Sequence, residues 1–218
     1  MLKRLFDILA SGLAGLVLSP LLLHVMIILS LTGEGEIFYT QQRIGRDGKP
    51  FRILKFATML KNSPNLPGGD ITTGNDPRIL PVGRFLRRTK LNELPQLFNV
   101  LLGDMSLIGP RPLTPRVVAM FPESHWRAVR HLRPGLSGIS SVVFRDEEDI
   151  ISVASDREEI YTHVIVPYKI ALEGWYANNQ SFWTDMKLIY LTIAAVLRWN
   201  ADPNQFFLNL PPSPGRST

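Results

Sequence analysis

The sequence predicts a mainly α protein with a small β-hairpin, an α+β chain carrying an N-terminal membrane helix and amphipathic helices suited to a membrane interface. Three observations carry that reading. Leu5 to Leu31 is an almost unbroken apolar run. Two short strand-like segments flank an Asp47-Gly48 turn. The stretch Ser181–Trp199, SFWTDMKLIYLTIAAVLRW, mixes aromatic and aliphatic residues with Lys187 and Arg198, as an interfacial helix does. A core helix accounts for the apolar residues of that last stretch equally well.

The apolar run comes first. As a helix rising about 1.5 Å per residue it measures roughly 40 Å, against about 30 Å for a bilayer core. It is too long for a signal peptide, and no small-x-small cleavage site precedes the polar TGEGE. Pro20 removes a backbone donor and should kink the helix. Ser19 can bond back to a freed carbonyl, which makes a membrane break at Ser19-Pro20 tolerable in lipid. Lys3 and Arg4 precede the run, and Arg43, Arg46 and Lys49 follow it. Basic residues on both sides favour both ends in the cytoplasm. The segment therefore either spans the bilayer or enters and returns, re-entrant, with its kink at Ser19-Pro20. The remaining reading is a buried helix of a soluble protein.

Composition narrows the partners. The 218 residues suit one domain plus an appended element. There is no cysteine, hence no disulfide framework and no thiolate metal site. A net charge of +5 points to anionic partners such as membrane phospholipid or nucleotide. No helix-turn-helix, zinc-finger or aromatic RNA-binding signature accompanies the charge, so no nucleic acid partner is expected.

Beyond the apolar run, Glu36–Gln42 and Pro50–Phe56 read as strands joined through RIGRDG. Leu60–Arg78 is dominated by Pro, Gly, Asn and Asp and reads as a loop. Val82–Arg88 and Leu94–Leu102 read as short helices. Asn92 falls at a natural N-cap of the second, with Glu93 in its first turn and Pro95 still tolerated. A helix is expected from about Pro122 or Glu123 and a turn at Arg133-Pro134-Gly135. DEED (Asp146–Asp149) reads as a solvated first turn. Glu158 to Ala177 is expected to be helical despite Pro167. Residues 201–218 read as a disordered tail.

The chemistry concentrates in Thr89–Pro112, TKLNELPQLFNVLLGDMSLIGPRP. It holds Glu93 and Asp104, follows Arg87 and Arg88, and ends in Pro110-Arg111-Pro112. Carboxylates that hold a divalent cation and arginines that grip phosphate are what phosphoryl chemistry requires. Asn92 has a bland role as a cap, and a helix start is also an anion site. Arg111 between two prolines is either a stiffly mounted phosphate ligand or a structural turn. No GxSxG elbow, Walker A loop, dinucleotide fingerprint or HExxH spacing is present.

The chain resembles the bacterial sugar transferases, the monotopic polyprenyl-phosphate phosphoglycosyl transferases. The similarity runs from KRLFD (Lys3–Asp7) through Ser19-Pro20, QQRIGRDGKPFRILKFATM, NDPRILPVGRFLRRTKL, the Thr89–Pro112 stretch and RPGLSG (Arg133–Gly138) to WYANNQSFWTDMKLIYLT. It implies a re-entrant helix over 1–33 and a catalytic domain over 34–200 at the cytoplasmic face of the bacterial inner membrane. It implies transfer of a sugar-1-phosphate from a UDP-sugar to polyprenyl phosphate, the first membrane step of surface glycan synthesis, with Mg2+. In the family an aspartate attacks the sugar-linked phosphate and a neighbouring glutamate assists. By motif, Asn92 holds the nucleophile position and Glu93 its partner, the two being the metal-side residues. Arg87, Arg111 and Arg145, with Pro110 and Pro112, are implied at the substrate, and Asp185 as a binding or conformational acid. Arg145 follows ISSVVF, which departs from the family pattern.

Asn92 is a departure too. A carboxamide is a poor nucleophile and a weaker magnesium ligand than a carboxylate. Either the chain carries an Asp-to-Asn change, or Glu93 becomes the nucleophile, or polyprenyl phosphate attacks directly while Glu93 holds magnesium. A non-catalytic nucleotide-sugar or lipid binder, or a scaffold, is the alternative function.

Overall fold

The computed structural model describes residues 2–66, 76–119, 122–145, 151, 156–197, 199 and 201–212. Helix α1 spans Leu2–Leu31 without interruption, with Pro20 inside it. Pro20 frees the carbonyl of Leu16, and Ser19 Oγ donates to that oxygen at 2.7 Å. Among the described residues α1 is the one helix long and apolar enough to cross a membrane, with a mean hydropathy of 2.3 over its best stretch. Leu9, Leu13, Leu16, Val17 and Leu23 are exposed.

The domain grips α1 near both ends. At the start, the buried Asp7 carboxylate accepts Ser106 Oγ at 2.8 Å and the Leu107 amide at 3.1 Å. Lys3 donates to Ile108 O and pairs with Asp185. Arg4 caps the free carbonyls of Val100 and Leu101. Farther along, Gly12 faces Leu101. Toward the end, Val25 and Leu29 are buried with Phe56 and Leu86.

The hairpin forms as the turn chemistry predicts, two residues later on its first strand. β1 (Phe38–Ile44) pairs antiparallel with β2 (Pro50–Phe56), Phe38 opposite Phe56 and Ile44 opposite Pro50. Asp47 and Gly48 take φ of 58° and 78°, the left-handed values that an Asp-Gly turn supplies. Helix α2 (Pro81–Arg88) follows, its Pro81 pre-set for the first turn. Lys90 then turns left-handed, and Leu91–Glu93 forms a 3₁₀ turn before α3 (Gln96–Leu102).

This corrects the role expected of Asn92. Pro95, not Asn92, precedes the first helical residue of α3, and the Asn92 side chain caps nothing. Lys90 turns left-handed and puts Asn92 inside the 3₁₀ turn, before the start of α3.

A second, parallel pair, β3 (Ser106–Ile108) with β4 (Gly135–Ser137), escaped the sequence reading. Its strands are three residues long and carry no alternation to read. It closes on glycine: a Cβ on Gly135 would lie 2.2 Å from the Gly109 nitrogen. That close approach explains why both IGPRP and RPGLSG contain glycine.

The rest is helical: α4 (Pro115–Val118), α5 (Glu123–Val129), α6 (Ile139–Val143) and α7 (Arg157–Ile160). Helix α7 runs through a π turn (Tyr161–Ile165) into α8 (Val166–Asn179). The widened turn sits just before Pro167, whose missing donor it accommodates. Helix α9 (Phe182–Val196) starts at Ser181, whose hydroxyl accepts the Thr184 amide. One face of α9 is core, as the core-helix reading has it. Leu188, Leu191 and Ala194 are core, while Trp183, Tyr190 and Ile193 are exposed. Phe6 of α1 meets Phe182 edge to face at 5.9 Å.

The main core gathers Ile108, Ile139, Leu172, Tyr176, Leu188, Leu191 and Phe207. Phe207 corrects the expectation of a disordered tail for residues 201–212. It is buried, its ring meets Trp175 at 5.2 Å, and Lys187 Nζ donates to Phe206 O. Two adjacent phenylalanines supply the apolar area that holds this segment down. The Asp146–Asp149 run and residues 213–218 lie outside the described residues, as does the middle of the Leu60–Arg78 loop.

Candidate active site

A cleft of about 500 Å³ opens between the hairpin, the Lys90–Glu93 turn, the Pro110–Pro112 loop and α8. Its walls bring together Arg87, Asn92, Glu93, Pro110 and Arg111, which the sequence reading had singled out, from three separate segments. Pro112 lines a smaller hollow beside it, with Arg43, Lys55, Glu93 and Arg111.

The Pro-Arg-Pro loop is fixed by its backbone. Pro110 O accepts the Gly135 amide at 2.8 Å, and Pro112 O accepts Arg43 Nη1 at 3.0 Å. The Arg111 amide donates to Glu173 Oε1 at 3.1 Å. Three elements thus hold a loop whose prolines already restrict it, so Arg111 projects from a stiff mount.

Glu93 accepts from Lys55 Nζ of β2 at 2.8 Å, and both side chains are about one-fifth exposed. Burial works against the Glu93 anion, but Lys55, Arg111 and Lys90 outweigh it and hold the carboxyl at about 2. Burial pushes Lys55 below its ordinary value, opposed by Glu93 and assisted by Arg111 and Arg43. Glu93 is therefore an anion throughout the neutral range. Asn92 is 6% exposed, and its Oδ1 has no hydrogen-bond partner among the described residues. A buried acceptor without a donor is costly unless something else meets it.

Glu93 and Asn92 are the oxygen donors that could take a magnesium ion in this cleft. Among the described residues no group of three or more His, Asp or Glu is poised around one point. Magnesium needs less, since it keeps waters and takes one or two protein oxygens plus substrate phosphates. The orphaned Asn92 Oδ1 beside the Glu93 carboxylate fits that demand, with Lys55 already offsetting part of the charge.

Two residues implied at the substrate stand elsewhere. Arg145 lies half-buried in the turn after α6, and it is not among the cleft residues. Asp185 accepts from Tyr176 OH at 2.7 Å and pairs with Lys3, so its visible work is to hold the start of α1. The sequence reading missed Lys55, Arg43, Lys169 and Glu173, all of which line the cleft. They come from separate parts of the chain, and only Arg43 and Lys55, both inside QQRIGRDGKPFRILKFATM, lay within a quoted motif.

The same chain thus carries a cleft lined by Lys55, Arg87 and Arg111 and a long, exposed apolar helix. The chain belongs to the bacterial sugar transferase family, whose model matches residues 1–199. It is 37% identical over 198 residues to the UDP-N-acetylgalactosamine-undecaprenyl-phosphate N-acetylgalactosaminephosphotransferase of Aeromonas hydrophila, covering 90% of this chain and 44% of that protein. It is 36% identical over 214 residues to the undecaprenyl-phosphate galactose phosphotransferase of Salmonella typhimurium, covering 90% and 40%. The exopolysaccharide production protein PSS of Rhizobium leguminosarum bv. phaseoli is 37% identical over 204 residues, covering 90% of this chain and 95% of that one. The chain thus spans less than half the length of the first two relatives and nearly all of the third.

Proposed function

We propose that this chain transfers a sugar-1-phosphate from a UDP-sugar to polyprenyl phosphate at the cytoplasmic face of the bacterial inner membrane. The observation that carries the reading is the cleft itself, where the Glu93 carboxylate and the cations Lys55, Arg87 and Arg111 converge. The names of the relatives supply the substrates. A re-entrant, monotopic placement is supported by α1, since one domain grips that helix both at Asp7 and at Leu29. A helix crossing straight through the bilayer would carry one of those contacts to the far side.

The residues divide the work. Arg111 and Arg87 bind the diphosphate oxygens of the donor, with the Arg111 fork suited to two oxygens at once. Lys55 keeps Glu93 ionised. Glu93 and Asn92 Oδ1 would hold magnesium, which when bound neutralises charge on the diphosphate. Asn92 supplies no nucleophile, and Glu93 is tied up as a strongly stabilised, weakly basic anion. An oxygen of polyprenyl phosphate therefore attacks the sugar-bearing phosphorus directly. The bond from that phosphorus to the bridging oxygen breaks, and uridine monophosphate leaves with the electron pair.

The test is release of uridine monophosphate from membranes carrying the chain, supplied with magnesium, polyprenyl phosphate and a panel of UDP-sugars. No release from any donor sinks the reading. Intact-mass measurement after incubation with donor alone distinguishes the routes: a phosphosugar adduct on Glu93 overturns direct transfer, and its absence alongside turnover supports it.

A further inference from the structure

Glu173 is the cleft residue that phosphate binding leaves unexplained. It sits on α8 one turn beyond Lys169, and both residues line the cleft. It is 4% exposed. Its Oε1 is fully engaged, accepting the Arg111 amide and the Ser140 hydroxyl. Its Oε2 is buried and has no hydrogen-bond partner among the described residues. A buried carboxyl oxygen left without a donor is a costly arrangement that a ligand can complete.

The chemistry of the missing donor follows from the charges around it. The diphosphate of a nucleotide sugar is anionic and suits Arg87, Lys90, Lys55 and Arg111. With its carboxyl ionised, Glu173 cannot serve those oxygens, because an acceptor facing an acceptor repels. What it fits is a neutral O–H or N–H. Glu173 also holds the backbone of Arg111, the residue whose side chain grips phosphate, so whatever meets Oε2 lies next to the phosphate. In a nucleotide sugar the group next to the terminal phosphate is the sugar ring. Trp126 and Tyr161 line the same cleft, and such rings offer flat apolar faces of the kind that pack against sugar C–H groups.

We propose that Glu173 reads the donor sugar: its Oε2 accepts a hydrogen bond from a sugar hydroxyl or an N-acetyl amide, with Lys169 beside it. The 169–173 turn of α8 is then a determinant of which sugar is accepted. This rests on the reading of the cleft as a nucleotide-sugar site.

The experiment is calorimetric binding to the full chain in detergent micelles, comparing UDP with a panel of UDP-sugars for wild type, E173A and E173Q. Wild type is expected to bind at least one UDP-sugar about 10-fold or more tightly than UDP, the loss expected for a hydrogen bond to a charged group. E173A should erase that margin, lowering UDP-sugar binding about 10-fold more than it lowers UDP binding. If E173A does not fold, E173Q decides, because it keeps the shape and must reorder the ranking of sugars. Equal weakening of UDP and UDP-sugars means that Glu173 merely supports the Arg111 loop, and overturns the proposal. So does an unchanged ranking in E173Q, or a wild type that binds UDP and every UDP-sugar alike. If wild type binds neither UDP nor any UDP-sugar, the nucleotide-sugar reading itself falls.

Discussion

Replacing Lys55 with Met asks whether Glu93 owes its charge to that one neighbour. The fall in the Glu93 pKa from 4.5 to about 2 corresponds to roughly 3 kcal/mol of preference for the anion, at about 1.36 kcal/mol for each unit. Lys55 supplies only a share, since Arg111 and Lys90 act in the same direction. Both partners are also partly open to solvent, which screens the pair. A coupling of about 1–2 kcal/mol between Lys55 and Glu93 is therefore expected. It is measured by a double-mutant cycle of K55M, E93Q and the pair, from urea unfolding in micelles followed by tryptophan fluorescence. The pH dependence has a definite sign. A carboxyl with a depressed folded pKa stabilises above its unfolded value, and that stability is lost as pH falls. The coupling should thus be full at pH 7 and fade between about 4.5 and 2. A coupling below about 0.3 kcal/mol at pH 7, or one that grows on acidification, refutes the assignment.

Three further outcomes follow from the same geometry. R111K keeps the charge but loses the planar fork, so kcat/KM for the donor should drop about 10–100-fold with little change in melting temperature. D7A leaves the Ser106 hydroxyl and the Leu107 amide without their buried acceptor and should cost about 2–3 kcal/mol of unfolding free energy. Burial raises the Glu173 carboxyl to about 7 despite Ser140, Arg111 and Lys169. Its contribution to stability is full below pH 4.5 and declines as pH rises toward 7, so E173Q should flatten the stability profile between those values.

Local chemistry was the legible part of this chain. Asp47-Gly48 announced its turn because left-handed backbone is costly for most residues. Pro50–Phe56 appeared as read because a short run rich in apolar residues, Phe51, Ile53, Leu54 and Phe56, follows directly on the Asp47-Gly48 turn. Pro20 with Ser19 announced its own repair. What could not be read depends on distant approach. The β3–β4 pair exists because Gly109 and Gly135 let two backbones touch, and three-residue strands leave no periodic trace. Asn92 looked like a cap because its residue type is a good one, yet Lys90 turning left-handed places it in a different turn. Lys55 and Glu173 are ordinary residues in sequence, and only folding brings them to Glu93 and Arg111. Phe206-Phe207 was overruled by the prolines around it.

The anchoring of α1 also sets an order of events during synthesis. Lys3 is paired with Asp185, 182 residues downstream, and Asp7 with Ser106, 99 downstream. At roughly 5–20 residues per second a ribosome takes about 10–40 s to cover the longer interval. Ser106 and the Leu107 amide become available to Asp7 about halfway through that time, whereas Lys3 has no acid until its end. On the proposed membrane placement, lipid is the solvent for the exposed face of α1 until then, with Lys3 and Arg4 among the headgroups. Docking of Lys3 therefore waits for Asp185, among the later residues of this domain to be made.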